Sequence, residues 1–405
     1  MSALSFLITK KDKNSFARTG ILETSHGEIK TPHFAPVGTK ATLKAVQTRD
    51  VNELDIDLIL ANTYHLFLQP GENVIKEAGG IHNFMNWRGP IMTDSGGYQV
   101  FSLGTGFGEK INKVAVTSTE EDGLNIYKED TDTEHAKLAR IDEDGVTFTS
   151  HINGNLHRFT PERSIEIQHS IGADIIVAFD ECTSPTADFQ YQKEAMNRTH
   201  AWAKRSLIAH MNDTKASSKQ AIFGVVQGGR FEELRKESAE VIGEMSFDGF
   251  GIGGSFAKED MAGPVRWVNS ILPVEKPKHL LGIGEPMDIF MGVENGCDLF
   301  DCVSPTRLAR HGSVYTLDGL QNIRNIKYSK DFSPIDEESL WDFEQKYTKA
   351  YVSHLFRADE MLGATLASIH NIAFMGRLMK NIKKSIEDEK FLEYKEKFIK
   401  RYYKK

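Results

Sequence analysis

Asp301 ends the apolar run Leu299-Phe300-Asp301 and is followed by Cys302-Val303-Ser304-Pro305-Thr306-Arg307. A strand therefore stops on a carboxylate and turns, through a proline, into a guanidinium. A fixed carboxylate is a potential nucleophile, and an arginine beside it reads polyanions. Alone, an aspartate ahead of such a turn is more often a turn former. Three more apolar runs stop on polar groups in the same way: residues 91–93 lead into Asp94-Ser95-Gly96-Gly97-Tyr98, 175–179 into Asp180-Glu181-Cys182, and 223–226 into Gln227-Gly228-Gly229. Carboxylates, an amide and glycines thus recur where apolar strands end.

These strands alternate with helical segments, the pattern of parallel βα units. One unit is legible in full. Thr160-Pro161-Glu162 reads as an N-cap, a first-turn proline and an acidic first turn; the helix runs to about Ile171 and Gly172 stops it before the strand to Asp180. A helix over 231–245 follows Gln227, then come 250–254, 279–284, a helix over 286–295, and the strand to Asp301. With 58–62 and the strand before Asp94, there are enough strands to close an α/β (β/α)8 TIM barrel, whose chemistry sits where the C-terminal strand ends converge. The reading is one catalytic domain over 1–405. It is interrupted at 104–139 by a segment rich in Gly, Thr, Asp, Glu and Lys with weak periodicity, read as a mobile insertion. Residues 331–338 form an acidic connector, 346–379 are expected to be helical, and 372–405 to form a basic C-terminal helix.

The length of 405 residues allows one large barrel or two ordinary domains. No run of about 18 uncharged apolar residues is present, and the first residues lack a basic flank before an apolar stretch. An unexported, cytoplasmic protein with no membrane association is expected. Three cysteines, Cys182, Cys297 and Cys302, are odd in number and not spaced as metal ligands, which suits a reducing compartment. A net charge of -8 disfavours indiscriminate nucleic-acid binding. Basic residues nevertheless gather from Arg307 through Arg310, Arg324, Lys327 and Lys330, and again from Arg377 to Lys405, so the C-terminal third can present a positive face.

Asp94-Ser95-Gly96-Gly97-Tyr98-Gln99, Phe179-Asp180-Glu181-Cys182-Thr183, Gln227-Gly228-Gly229, Gly253-Gly254 and Phe300-Asp301-Cys302-Val303 through Pro305-Thr306-Arg307 together resemble the tRNA-guanine transglycosylase, or queuine tRNA-ribosyltransferase, family. The resemblance extends to Ser150-His151-Ile152-Asn153-Gly154 and Ser368-Ile369-His370-Asn371, nearly the whole chain. It implies exchange of a wobble guanine in tRNA for a 7-deazaguanine base, in queuosine biosynthesis, without backbone cleavage. Such exchange needs a carboxylate that attacks the ribose and a second that handles protons, roles that the resemblance gives to Asp301 and Asp94. Their environments are expected to differ. It also implies that Asp180, Gln227 and the Gly254 N–H bind the base edge, that Tyr98 stacks on the base, and that Cys182, Ser255 and Leu281 line the pocket. Thr306, Arg307 and Arg310 match the segment reading the uridines beside the wobble guanine. A homodimer is implied by the family alone.

Departures from the family pattern carry their own expectations. Where its bacterial and eukaryotic members have Cys-x-Cys-x-x-Cys and a later His on zinc, this chain has Ser339, Trp341 and Glu344, with only His370 kept. A degenerate subdomain over 318–371 without zinc or other cofactor is therefore expected, Trp341 and Phe343 filling the vacated volume and His370 serving as a satisfied core or capping histidine. Ser255, Phe256 and Ala257 stand where Leu followed by Ala or Ser is usual. Cys182 suits the pocket for 7-aminomethyl-7-deazaguanine, whereas Ala257 replaces bulk that excludes the larger queuine, and base choice stays open between them. The alternative is a non-catalytic tRNA-binding partner subunit of the same family, which would be expected to lose the Asp94 and Asp301 pair.

Overall fold

Eight short strands carry the fold: β1 (His33–Pro36), β2 (Ile59–Ala61), β3 (Ile91–Thr93), β4 (Ile175–Val177), β5 (Ala221–Val226), β6 (Gly249–Ile252), β7 (Lys278–Leu280) and β8 (Leu299–Cys302). Every residue in them is buried except the half-buried Cys302. Parallel strands covered on both faces need such continuous apolar runs, which is why the sequence shows no alternation there. The sheet order is β1-β8-β7-β6-β5-β4-β3-β2, so each strand lies beside its sequence neighbours. A parallel bridge between Val37 and Leu60, with Gly38 N donating to Leu60 O at 2.7 Å, joins β1 to β2. This is a (β/α)8 barrel, as expected. The computed structural model describes residues 3–104, 114–115, 139–254, 256–257, 261–337 and 345–404. Most of the 104–139 insertion therefore lies outside the described residues.

The chain divides into two compact units, Met1–Ala3, Asn62–Glu77 and Thr93–Lys278 in one, Leu4–Ala61, Ala78–Met92 and His279–Lys405 in the other. The first holds α1 (Thr63–Leu68), α2 (Gly97–Gly104), α3 (Pro161–Ile171), α4 (Phe189–Asn212), α5 (Glu232–Gly243) and α6 (Ala262–Asn269). α3 begins as read from sequence: Thr160 accepts from Arg163 N, Pro161 occupies the first turn, and Gly172 caps the end at φ 78°. Phe148, Phe159, Phe179 and Trp202 pack in a chain of tilted and edge-on rings behind β4. A three-stranded antiparallel sheet, Ala139–Asp142, Gly145–Thr149 and Leu156–Phe159, precedes α3 and has no counterpart in the expected elements.

The second unit opens with another antiparallel sheet, Ser5–Lys11, Arg18–Thr24 and Gly27–Thr31. Arg18 ties it to β8 through a buried two-pronged pair with Asp298, at 2.8 and 2.6 Å. After β7 and β8 come α7 (Pro286–Glu294) and α8 (Ser304–Arg310), then α9 (Lys349–Arg357), α10 (Met361–Glu387) and α11 (Phe391–Tyr402). Two expectations are corrected here. The helix read over 346–379 breaks at Asp359, whose φ of 53° is left-handed, while Glu360 N donates back to Leu355 O. The C-terminal helix read over 372–405 is likewise two, split at Glu389, with φ 57°. Aspartate and glutamate carry no helix-breaking signature of the strength of Gly or Pro, so neither break showed in the sequence. Val314, Ile323, Tyr328, Ile335, Val352, Leu355 and Phe356 form the buried cluster under this subdomain.

Candidate active site

In the first unit, β3 ends and the chain delivers Asp94 into a ring of neutral donors. Its Oδ1 accepts from Thr63 N at 2.8 Å, and its Oδ2 from Asn62 Nδ2 at 2.6 Å and Gln99 Nε2 at 2.8 Å. Thr63 Oγ1 also donates to the Asp94 backbone carbonyl at 2.6 Å. Three N–H groups from two segments thus donate to the half-buried carboxylate. Tyr98, in the first turn of α2, is half-buried.

Asp180, 8 % exposed, follows β4 and is gripped from both sides: Ser95 Oγ donates to its Oδ1 at 2.9 Å and Gln227 Nε2 to its Oδ2 at 2.8 Å. Three strand ends thus meet on one carboxylate. Gln227 was read as a donor to a ligand; part of its amide is committed to Asp180. The α2 backbone comes so close that a Cβ on Gly97 would lie 2.6 Å from the Asp180 carbonyl oxygen. Gly254 turns at φ 99°, and a Cβ there would lie 3.1 Å from Gln227 Oε1. Glycine at both positions is a requirement of close approach. Cys182 is half-buried one residue beyond Glu181, whose fully enclosed carboxylate takes Arg198 Nε at 2.7 Å and Tyr191 Oη at 2.8 Å. Those bonds hold the Arg198 guanidinium more firmly protonated than usual, and burial pushes the Tyr191 phenol up to about 12. Ser255 lies outside the described residues.

In the second unit, Asp301 stands near the end of β8, 8 % exposed. Its Oδ1 accepts from Gly282 N at 2.6 Å, and His279 Nε2, fully buried, lies 3.0 Å from the same oxygen. The parallel register pairs His279 with Leu299, and Asp301 lies two residues further along, on the same face of β8. Asp94 accepts from three neutral donors, whereas Asp301 accepts from the Gly282 peptide N–H and has the His279 imidazole beside it. Leu281, half-buried, immediately precedes Gly282.

Thr306 is buried in α8, its hydroxyl 3.4 Å from Val303 O; Arg307 is exposed, and Arg310, half-buried, donates to Thr306 O at 2.9 Å. Partial burial and the charges of Arg310, Arg307 and Lys40 together lower the Lys44 ammonium below its ordinary value. Lys40, Lys44, Arg307 and Arg310 therefore lie close enough together for their charges to oppose one another, the two arginines in the last turn of α8. His370 is buried, with Nε2 2.7 Å from Tyr315 O, and Asn371 donates to Pro305 O and Ser313 O while accepting from Tyr315 N. Ser339, Trp341, Phe343 and Glu344 lie outside the described residues.

Four residues with evident work here escaped the sequence reading: Asn62 and Gln99 on Asp94, His279 beside Asp301, and Arg235 beneath Gly254. Gln99 lay inside a quoted motif without a role. The other three look like ordinary strand or helix residues, and only the barrel brings Asn62 and His279 to the carboxylates and Arg235 to the carbonyl ahead of Gly254. A signal did exist for His279, a polar residue inside the apolar strand His279-Leu280-Leu281.

The family model described as queuine tRNA-ribosyltransferase matches residues 12–131 and 130–404. Among curated proteins, the queuine tRNA-ribosyltransferase of Caldanaerobacter subterraneus subsp. tengcongensis is 45% identical over 406 residues, covering 100% of this chain and 99% of that protein. That of Fusobacterium nucleatum subsp. nucleatum is 42% identical over 397 residues, covering 97% of each.

Proposed function

The chain belongs to the queuine tRNA-ribosyltransferase family, and on that premise we propose that it exchanges the wobble guanine of tRNAs with guanine-uridine anticodons for a 7-deazaguanine base. It is a pentosyltransferase of the tRNA-guanine transglycosylase kind. In the proposed reaction the Asp301 carboxylate attacks the ribose anomeric carbon. The bond to guanine breaks, its electron pair leaves with the base, and Asp94 supplies the proton. The incoming base then gives its ring proton to Asp94 and displaces Asp301 from the same carbon, so two inversions retain configuration. Asp180, Gln227 and the Gly254 N–H bind the base edge, Tyr98 stacks on its face, and Cys182, Leu281 and Ser255 shape the pocket. Thr306, Arg307 and Arg310 read the flanking uridines, with queuosine biosynthesis in the cytoplasm and a homodimer as the family setting. The observation that carries the reading is Asp301 itself, a buried strand-end carboxylate oriented by the Gly282 N–H.

We also propose that the protein has no structural zinc and needs no cofactor. Ser339, Trp341 and Glu344 offer no thiolate, and the His370 Nε2 proton goes to the Tyr315 carbonyl. This donor set does not fit a tetrahedral zinc centre. One equivalent of zinc in the purified protein, lost on His370→Ala, would refute it. The decisive functional test follows labelled guanine into an unmodified tRNA whose anticodon begins guanine-uridine, with Asp301→Asn and a wobble-substituted tRNA in parallel. Label is expected only with the intact enzyme and the guanine wobble base. No incorporation despite tRNA binding would overturn the enzyme reading in favour of a partner subunit.

A further inference from the structure

Arg235 rises from α5 into the region under the ends of β5 and β6, and none of its side chain reaches solvent. Its guanidinium donates to three backbone carbonyls: Nε to Gly229 O at 2.7 Å, and Nη1 to Val226 O at 3.2 Å and Gly253 O at 2.7 Å. The three carbonyls flank the two groups proposed to meet the base, Gln227 and Gly254. A Cβ on Gly254 would lie 2.5 Å from Nη2, so the cation sits directly against this turn. Burial pushes the guanidinium down to about 9, still protonated at neutral pH.

The Gly253 carbonyl and the Gly254 N–H belong to one peptide unit. In a planar trans peptide these groups point in opposite directions, so whatever takes the carbonyl also aims the N–H. We propose that Arg235 is a positioning residue that orients the Gly254 N–H toward the base carbonyl and sets its spacing from the Gln227 amide. Glycine at 254, with φ 99°, is free to rotate this peptide unless something holds it. Neutral donors cannot reach three carbonyls on two strands at once, whereas the planar guanidinium fork can. The inference rests on the base-pocket reading above and deepens it.

The test compares Arg235→Gln and Arg235→Lys with the wild type in guanine exchange, together with Asp180→Asn. Two probe bases are used, guanine and 2-aminopurine, the latter lacking the carbonyl. Both Arg235 variants should weaken guanine, read as its KM or inhibition constant, by about tenfold, the worth of one misaligned hydrogen bond. The KM for tRNA should stay within about twofold, and 2-aminopurine inhibition should be unchanged, because it has no carbonyl for the N–H to find. A merely structural role would weaken both bases and tRNA together, and that result overturns the proposal. If Arg235→Gln fails to fold, Arg235→Lys decides: wild-type guanine affinity there refutes the aiming role. Asp180→Asn separates the two levels. If it leaves guanine binding intact, the pocket reading falls; if it abolishes binding while both Arg235 variants bind normally, only this inference falls.

Discussion

Replacing Gly97 with alanine tests whether the Asp180 carboxylate is held as tightly as its contacts indicate. The added Cβ would stand 2.6 Å from the Asp180 carbonyl oxygen and 3.2 Å from Ser95 Oγ. Ordinary contact begins at 3.4 Å, so α2 and the end of β4 must separate by about 0.8 Å. Neither neighbour is the soft tip of a long side chain. One is Asp180 backbone, and the other is the hydroxyl that donates to Asp180 Oδ1 and accepts from Gly97 N at 3.2 Å. The displacement is therefore delivered to the carboxylate. Overpacking of this kind costs about 1–3 kcal/mol, and a group moved by about 1 Å can lose a hundredfold in rate. We expect the guanine KM to rise about 10- to 100-fold at saturating tRNA, the tRNA KM to change less than about threefold, and the melting temperature to fall by a few degrees. Steady-state incorporation of labelled guanine, with a thermal melt of the same sample, measures all three. A lower melting temperature with an unchanged guanine KM would show that the strain relaxes away from Asp180 and would refute the argument.

His279→Leu removes the imidazole beside Asp301 with a side chain of similar volume, and kcat should fall about 10- to 100-fold with tRNA affinity retained; His279→Gln should recover part of the loss, and equal kcat in all three proteins would sink the idea. Burial, with His210 adding to it, pushes His169 down to about 4, and burial does the same to His200. Unfolded histidine titrates near 6.5, so between these values the unfolded chain binds more protons. Stability from both groups is whole above about pH 6.5 and is lost as pH falls toward 4, at up to about 1.4 kcal/mol per pH unit for each. Denaturant melts from pH 7.5 to 4.5 should show this slope, and His169→Gln with His200→Gln should flatten it; an unaltered slope would exclude these histidines. Arg198→Met strands the Glu181 carboxylate, 1 % exposed, and should cost about 3–5 kcal/mol in urea unfolding, against less than 1 if the pair contributes nothing.

Much of the candidate site was legible because its residues stand at ends of apolar strands. Asp94, Asp180 and Gln227 each follow a buried run and Asp301 stands near the end of one, and C-terminal strand ends are where barrel enzymes carry their chemistry. The caps of α3 were equally plain, since Thr160, Pro161 and Gly172 each act within their own turn. The breaks at Asp359 and Glu389 were not, because a left-handed aspartate or glutamate is imposed by tertiary packing and not by its own preference. Nor were the two antiparallel sheets flanking the barrel, whose strands mix polar and apolar residues at short intervals.

The amino-acid sequence alone determined the barrel, its family and the candidate site residues, because apolar periodicity and strand-end chemistry are local properties of the chain. Tertiary structure alone decided what surrounds each group. That His279 meets Asp301, that Asn62 and Gln99 share Asp94, and that Arg235 gathers three carbonyls beneath Gly254 are consequences of strand register and helix packing. Asn62 and Asp94 are 32 residues apart and Arg235 and Gly253 are 18, and such donors meet their acceptors only where folding has brought them within about 3 Å.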